Sequence, residues 1–200
     1  MDSSWFVWFL VLLAYTLGSV PFGVVVSRLL GMADPRTAGS HNVGFTNVLR
    51  VSGKTAGILT LIGDIGKGWL AGWAATLWLA EESSILLVAL ASILGHLHSV
   101  FLRFKGGKGV ATALGAVLGV APWIGLTLML LWIGAVFLWK YSSGGALLAF
   151  AAFPLVALIA HRSWLFIGFA GLVSLLIWIR HRDNLIRLWS GTESRIGQTS

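Results

Sequence analysis

Seven apolar stretches, separated by short polar loops, leave this chain very few folds to choose from. They are Trp5–Val26, Ala56–Ala80, Ile85–Phe101, Val110–Val120, Trp123–Trp139, Ala146–Ala160 and Ser163–Ile179. Of 200 residues, 57% are hydrophobic and only 10% charged, whereas a soluble domain carries about a quarter charged residues. Such a chain cannot hide its apolar side chains in one water-surrounded core. In lipid the backbone must satisfy its own N–H and C=O groups, so each stretch is read as helix. A straight span needs about 20 residues. The first two stretches meet that comfortably, the fourth is too short alone, and the others lie near the limit. The predicted fold is an all-α integral membrane protein, a seven-helix transmembrane bundle forming one domain over residues 1–200. The segment Met1–Val26 lacks the basic start of a secretory signal and is read as a retained first helix.

Seven spans also sort the charges. Twelve of the fourteen Lys and Arg residues fall in the tail or in loops after odd-numbered spans. The exceptions are Arg162, in an opposite loop, and Lys67, inside the second span. Asp2, Glu81 and Glu82 lie on the other side. Positive residues stay on the cytoplasmic face, so the N-terminus is predicted outside and the C-terminus in the cytoplasm. A net charge of +7 would suggest nucleic acid on a soluble protein. Here it reads as anchoring to the lipid bilayer and, where it clusters, as attraction for an anionic substrate. The absence of cysteine excludes disulfides, zinc thiolate sites and thiol catalysis.

Inside the spans, Gly18-Ser19-Val20-Pro21-Phe22-Gly23 predicts a break in the first helix, because proline removes a donor and frees carbonyls. Asp64 and Lys67, at i and i+3, can neutralise each other on one helix face. Pairing is the reading preferred over lining a cavity. Gly115, Gly119 and Gly125 are read as the ordinary abundance of glycine in membrane helices.

The chemistry-bearing residues cluster in the predicted cytoplasmic loops. Between Thr37 and Arg50 stand Ser40, His41, Asn42, Gly44, Thr46 and Asn47, a set of hydroxyls and amides ending in arginine. Such donors suit an anionic oxygen cluster. The second loop runs from Gly95-His96 to Lys105-Gly106-Gly107-Lys108-Gly109-Val110-Ala111-Thr112. Gly-Gly-Lys-Gly opening a helix sets free N–H groups, the positive helix end and a lysine together, an arrangement that binds phosphate. It lacks the Walker A spacing. Lys108 is assigned a substrate phosphate, while Arg103 and Lys105 are left as lipid anchors. The third loop, Lys140 to Gly145, offers Ser142 and Ser143. The tail alternates basic and apolar residues like a stretch lying on anionic lipid. It places His181, Asn184 and Arg187 at i, i+3 and i+6.

Several classes are disfavoured. No pair of acidic clusters offers Mg²⁺ a site. His96 and His98 have no nearby carboxylate or cysteine for zinc, so neither metal nor cofactor is expected. There is no Gly-x-Ser-x-Gly elbow and no His-x-x-x-x-Asp pair. A transporter of phosphate or an organophosphate is the alternative, but its site would lie near the midplane between repeats.

In these loops the chain resembles the bacterial membrane glycerol-3-phosphate acyltransferases that use acyl phosphate. Gly39-Ser40-x-Asn42-x-Gly44-x-Thr46-Asn47-x-x-Arg50 is similar to that family's first motif, and the run from Gly95 to Thr112 to its second. Tyr141-Ser142-Ser143 resembles the third, and His181-Arg182-x-Asn184 with Arg187-Leu188 and Gly191-x-Glu193 the tail signature. His41, Phe45, Ser99 and Gly144 depart from the usual pattern. The resemblance implies acylation of the glycerol-3-phosphate 1-hydroxyl by a fatty acyl phosphate at a bacterial cell membrane. The lability of that donor points to a soluble partner that makes the acyl phosphate. Arg50, Lys108, Ser40, Ser143 and Asn184 are expected to hold glycerol-3-phosphate, with Asn42, Thr46, Asn47 and Gly109 among the binding residues. Amides at Gly106 and Gly107 are expected to hold the acyl phosphate and oxyanion. Lys108, His181 and Ser143 are the candidate catalytic groups, with His181 read as orienting the hydroxyl rather than as an obligatory base.

Overall fold

The computed structural model describes residues 3–197, so Met1 and Asp2, counted above for the outer side and the chain start, lie outside the described residues. These residues form nine α-helices and one 3-10 turn, with no strand among them. The helices are α1 (Ser4–Ser19), α2 (Phe22–Leu29), α3 (Phe45–Trp78), α4 (Glu82–Leu97), α5 (Val110–Val120), α6 (Pro122–Trp139), α7 (Ser142–Ile159), α8 (Trp164–Arg180) and α9 (Arg182–Trp189). The chain divides into two compact units, with the division between Val120 and Ala121.

The predicted break in the first span is present. α1 and α2 are separate helices meeting at 47° across Val20-Pro21. The Val20 carbonyl, left outside both helices, accepts a hydrogen bond from Lys67 Nζ at 2.8 Å. Ser99, where the family pattern usually has proline, donates its hydroxyl to the neighbouring Ser19 carbonyl. Both freed carbonyls are therefore satisfied inside the protein, as lipid requires. α3 is two helices joined at Gly53, whose φ of 80° lies in the left-handed region that only glycine enters freely. α8 starts where expected because the Ser163 hydroxyl accepts the Phe166 amide at 3.0 Å.

The count of seven spans is not reached by length and apolarity alone. Glu82–Leu102, Pro122–Trp139 and Ser142–Ile159 qualify singly, and the bent pairs α1–α2 and α8–α9 raise the number to five. α5 has 11 residues, about 16 Å of helix against a hydrocarbon core of about 30 Å. α3 carries the ionic pair Asp64–Lys67, both buried, 2.8 Å apart, which lowers its apolarity at mid-length.

The first unit packs through small residues. α3 and α5 cross so closely that a β-carbon on Gly115 would collide with the Ile65 carbonyl, and one on Gly68 with the Thr112 carbonyl. Gly115 and Gly119 are thus contact glycines, correcting their reading as mere abundance. Lipid supplies no hydrophobic drive between helices, so close backbone approach provides the attraction. Elsewhere in this unit Val7, Leu10 and Ala14 of α1 meet Ala71 and Ala75 of α3 and Val88 and Ala91 of α4. The second unit is built around aromatic rings: Phe153 meets Phe150, Phe166 and Phe169 edge-on at 6.1–6.3 Å, the orientation favoured by ring quadrupoles.

Gly115→Leu is predicted to destabilise the protein by about 1–3 kcal/mol, the range for forcing extra methylenes into a packed contact. Gly134→Ala, where a β-carbon meets open space, should leave thermal unfolding in detergent unchanged or slightly raised.

Candidate active site

The first-motif loop is organised from within by Asn47. Its side chain is buried at the start of α3. Oδ1 accepts the Ser40 amide at 2.8 Å, and Nδ2 donates to the carbonyls of Pro35 (2.8 Å), Asn42 (2.9 Å) and Ala38 (3.1 Å). An amide has two donor hydrogens and one acceptor oxygen, so this side chain is fully committed. Asn47 therefore serves the loop rather than offering a donor to substrate, which corrects its expected role. Asn42 closes a local turn through Oδ1 to the Gly44 amide at 2.9 Å. His41 sits in the left-handed region and its Nδ1 meets the Arg36 carbonyl at 3.0 Å. Ser40 is exposed and Thr46 half-buried. One turn beyond Asn47, Arg50 is half-buried, and its guanidinium has neither a carboxylate nor a hydrogen-bond acceptor among the described residues.

The glycine loop folds back on the end of α4. Phe104 donates to the Ser99 carbonyl at 2.8 Å, Gly106 to Leu97 at 3.2 Å and Gly107 to His96 at 3.0 Å. The amides of Gly106 and Gly107, expected to face a phosphate, are thus spent on closing the loop. The unpaired first-turn amides of a helix belong here to Gly109 and the start of α5. Lys108 is half-buried between Gly107 and Gly109, the latter with φ 86°.

In the second unit the tail returns to the third loop. Glu193 is the hub: Oε1 accepts from Ser143 Oγ and Asn184 Nδ2, each at 2.6 Å, and Oε2 from Arg187 Nε at 2.7 Å. The Ile196 amide donates to the Lys140 carbonyl at 2.8 Å, and Arg195 Nε to the Tyr141 hydroxyl at 3.2 Å. Ser143 and Asn184, singled out separately, are therefore joined by one carboxylate. Asn184 and Arg187 share a face of α9 as expected. His181, buried at the bend between α8 and α9, holds the Ile177 carbonyl through Nδ1 at 2.8 Å. A carbonyl only accepts, so Nδ1 carries the proton of the neutral ring. Glu193 received no role from the sequence; it stood only as part of the Gly191-x-Glu193 tail signature.

Residues 8–191 match the profile of the glycerol-3-phosphate acyltransferase family. The chain belongs to that family. It is 48% identical over 196 residues to the glycerol-3-phosphate acyltransferase of Bordetella pertussis, covering 94% of this chain and 91% of the relative. Its identity to the Burkholderia mallei enzyme of that name is 49% over 189 residues, covering 92% and 93%. It also superposes on the crystal structure of PlsY (YgiH), an integral membrane glycerol 3-phosphate acyltransferase. The glycerol 3-phosphate form gives a TM-score of 0.89 at 41% identity, covering 96% of each chain. The lysophosphatidic acid form gives 0.87 at 40%, covering 96% and 95%. The protein is a membrane acyltransferase, which sets the transporter alternative aside.

In this acyltransferase, partial burial pushes the Glu193 carboxyl up. The hydrogen bonds from Ser143, Asn184 and Arg187, with the Arg187 charge, push harder the other way and hold it below the ordinary glutamate value. The contribution to stability is therefore complete above the unfolded value of about 4.3 and disappears as pH falls through the depressed folded value. Glu193→Gln is expected to lower the melting temperature at pH 7, and the gap to the wild type should narrow in scans below about pH 4.

Proposed function

We propose that this acyltransferase moves a fatty acyl group from acyl phosphate to the 1-hydroxyl of glycerol-3-phosphate. The hydroxyl oxygen bonds to the acyl carbon, the bond from that carbon to the phosphate oxygen breaks, and inorganic phosphate leaves with lysophosphatidic acid as product. The solved relatives bear on this directly, since one form holds glycerol 3-phosphate and the other lysophosphatidic acid. The observation that carries the site assignment is the half-buried Arg50 guanidinium with no counter-charge of its own. A cation kept partly out of water without a protein partner suits a ligand phosphate, which it can grip with two N–H groups.

Lys108 and the Ser40 hydroxyl join Arg50 in this reading, with Asn42 and Thr46 shaping the same loop. The donor phosphate is assigned to the positive end of α5, at Gly109 and the amides that follow, rather than to Gly106 and Gly107. Acyl phosphate is already activated, so neutralising the phosphate charge and fixing the nucleophile supply most of the rate. The hydroxyl proton can pass to the departing phosphate. His181, Ser143 and Asn184 are proposed as substrate ligands, with His181 orienting a hydroxyl rather than acting as an obligatory base. Residues 1–200 are taken as one catalytic domain, because the family match runs unbroken across both units.

The proposed topology keeps seven spans, the N-terminus outside, and the active loops and tail in the cytoplasm of a bacterial cell. Besides the basic loops, Trp5, Trp123 and Trp164 support it. They are 71%, 81% and 82% exposed, and each opens a helix on the assigned outer side, where tryptophan gathers at the lipid–water boundary. A labile donor also implies a soluble enzyme that delivers the acyl phosphate.

Purified protein should form lysophosphatidic acid from glycerol-3-phosphate with acyl phosphate, and not with acyl-CoA or acyl-carrier protein. Lys108→Ala should abolish the product in a folded protein. Arg50→Ala should raise KM for glycerol-3-phosphate by about 10–100-fold, the size of a lost charge-assisted hydrogen bond. Unchanged saturation would remove Arg50 from the site.

A further inference from the structure

Beneath the glycine loop lies a set of buried polar side chains that the reaction above does not use. Asp64, in the middle of α3, has Oδ1 2.8 Å from Lys67 Nζ and 3.5 Å from His96 Nδ1, and the three side chains are only 1–5% exposed. Lys67 is accounted for, since it also ties down the Val20 carbonyl at 2.8 Å. His96 meets the loop twice. Its carbonyl accepts the Gly107 amide at 3.0 Å. Its ring Nε2 lies so close over Gly107 that a β-carbon there would overlap it. Lys108 is the next residue. Nδ1 faces the Asp64 carboxylate at ion-pair distance and Nε2 is turned to the loop.

We propose that Asp64 and His96 are positioning residues for the loop that presents Lys108: Asp64 fixes the ring of His96, and His96 fixes the backbone at Gly107. The proposal rests on Lys108 being a phosphate ligand. Neither residue reaches substrate itself, and both act through the loop. A displacement of about 1 Å in a binding group can cost as much as 100-fold in rate, so a buried brace under a flexible Gly-Gly segment has a clear physical use. The carboxylate–imidazole order matches the way outer groups orient a working histidine elsewhere.

The test uses the purified full-length enzyme, the variants His96→Gln, His96→Ala, Asp64→Asn and Gly107→Ala, and the double variants H96A/G107A and D64N/H96A. His96→Gln and Gly107→Ala should raise KM for the phosphate substrates by about tenfold, with a smaller change in kcat and near-normal melting. In the His96→Ala background the Gly107→Ala penalty should shrink severalfold, because the space its β-carbon needs has been vacated. Asp64→Asn should add little to His96→Ala, as residues acting in series do not add. Trypsin cleavage after Lys105, followed by mass spectrometry, should be faster in His96→Ala and Asp64→Asn than in the wild type.

Additive penalties, or wild-type KM and cleavage in His96→Gln and His96→Ala, would overturn the proposal. If Asp64→Asn does not fold because Lys67 loses its partner, the His96 and Gly107 variants still decide. If Lys108→Ala leaves both KM values unchanged, the phosphate reading fails, and the cleavage rates alone uphold or overturn the brace.

Discussion

Lys67 reaches the carbonyl that the Pro21 break leaves outside both helices, and Asp64 holds its ammonium there from one turn away. In water such a contact would matter little. In lipid, a carbonyl outside a helix and a lone ammonium are each expensive; the Val20 carbonyl takes the Phe22 amide at 3.1 Å and the ammonium as its second donor, so each group lowers the other's cost. The break can therefore persist in the first span, and a charged pair can persist in the middle of α3. His96 draws on the same carboxylate, so the junction of α1 and α2 and the glycine loop share one electrostatic anchor.

Around that anchor the first unit is held by proximity. Glycines let α3 and α5 touch through their backbones, and the short α5 gains from this contact what its length denies it in lipid. Its first turn is then fixed beside a loop that has already closed its own amides onto α4. The donors left over are side chains and the open end of a helix. The proposed phosphate site calls on positive charge held in place.

Part of the proposed site could be read along the chain. Arg50 and Lys108 stood out as cations among glycines, hydroxyls and amides, and the proposal keeps both. Asn47 did not separate from its neighbours, since spacing gives the inventory of donors but not which carbonyls consume them. Gly106 and Gly107 misled for the same reason: a glycine pair advertises free amides until its return path onto Leu97 and His96 is known. Glu193 was hidden differently. Its partners Ser143 and Asn184 lie 50 and 9 residues away, and its place in the tail signature did not say which side chains it would join.

The sequence by itself determined that the chain is helical and lies in lipid, and that its first apolar stretch breaks at Pro21. Those properties follow from local rules, in which apolar runs must close their own hydrogen bonds and proline cannot donate one. Tertiary structure alone decided which polar groups remain available. Asn47, Gly106, Gly107 and Glu193 are consumed inside the fold, Arg50 is left without a partner, and Asp64 is brought to His96 across 32 residues of chain. A hydrogen bond is a property of two groups in space, so its second partner is fixed only when the helices have packed.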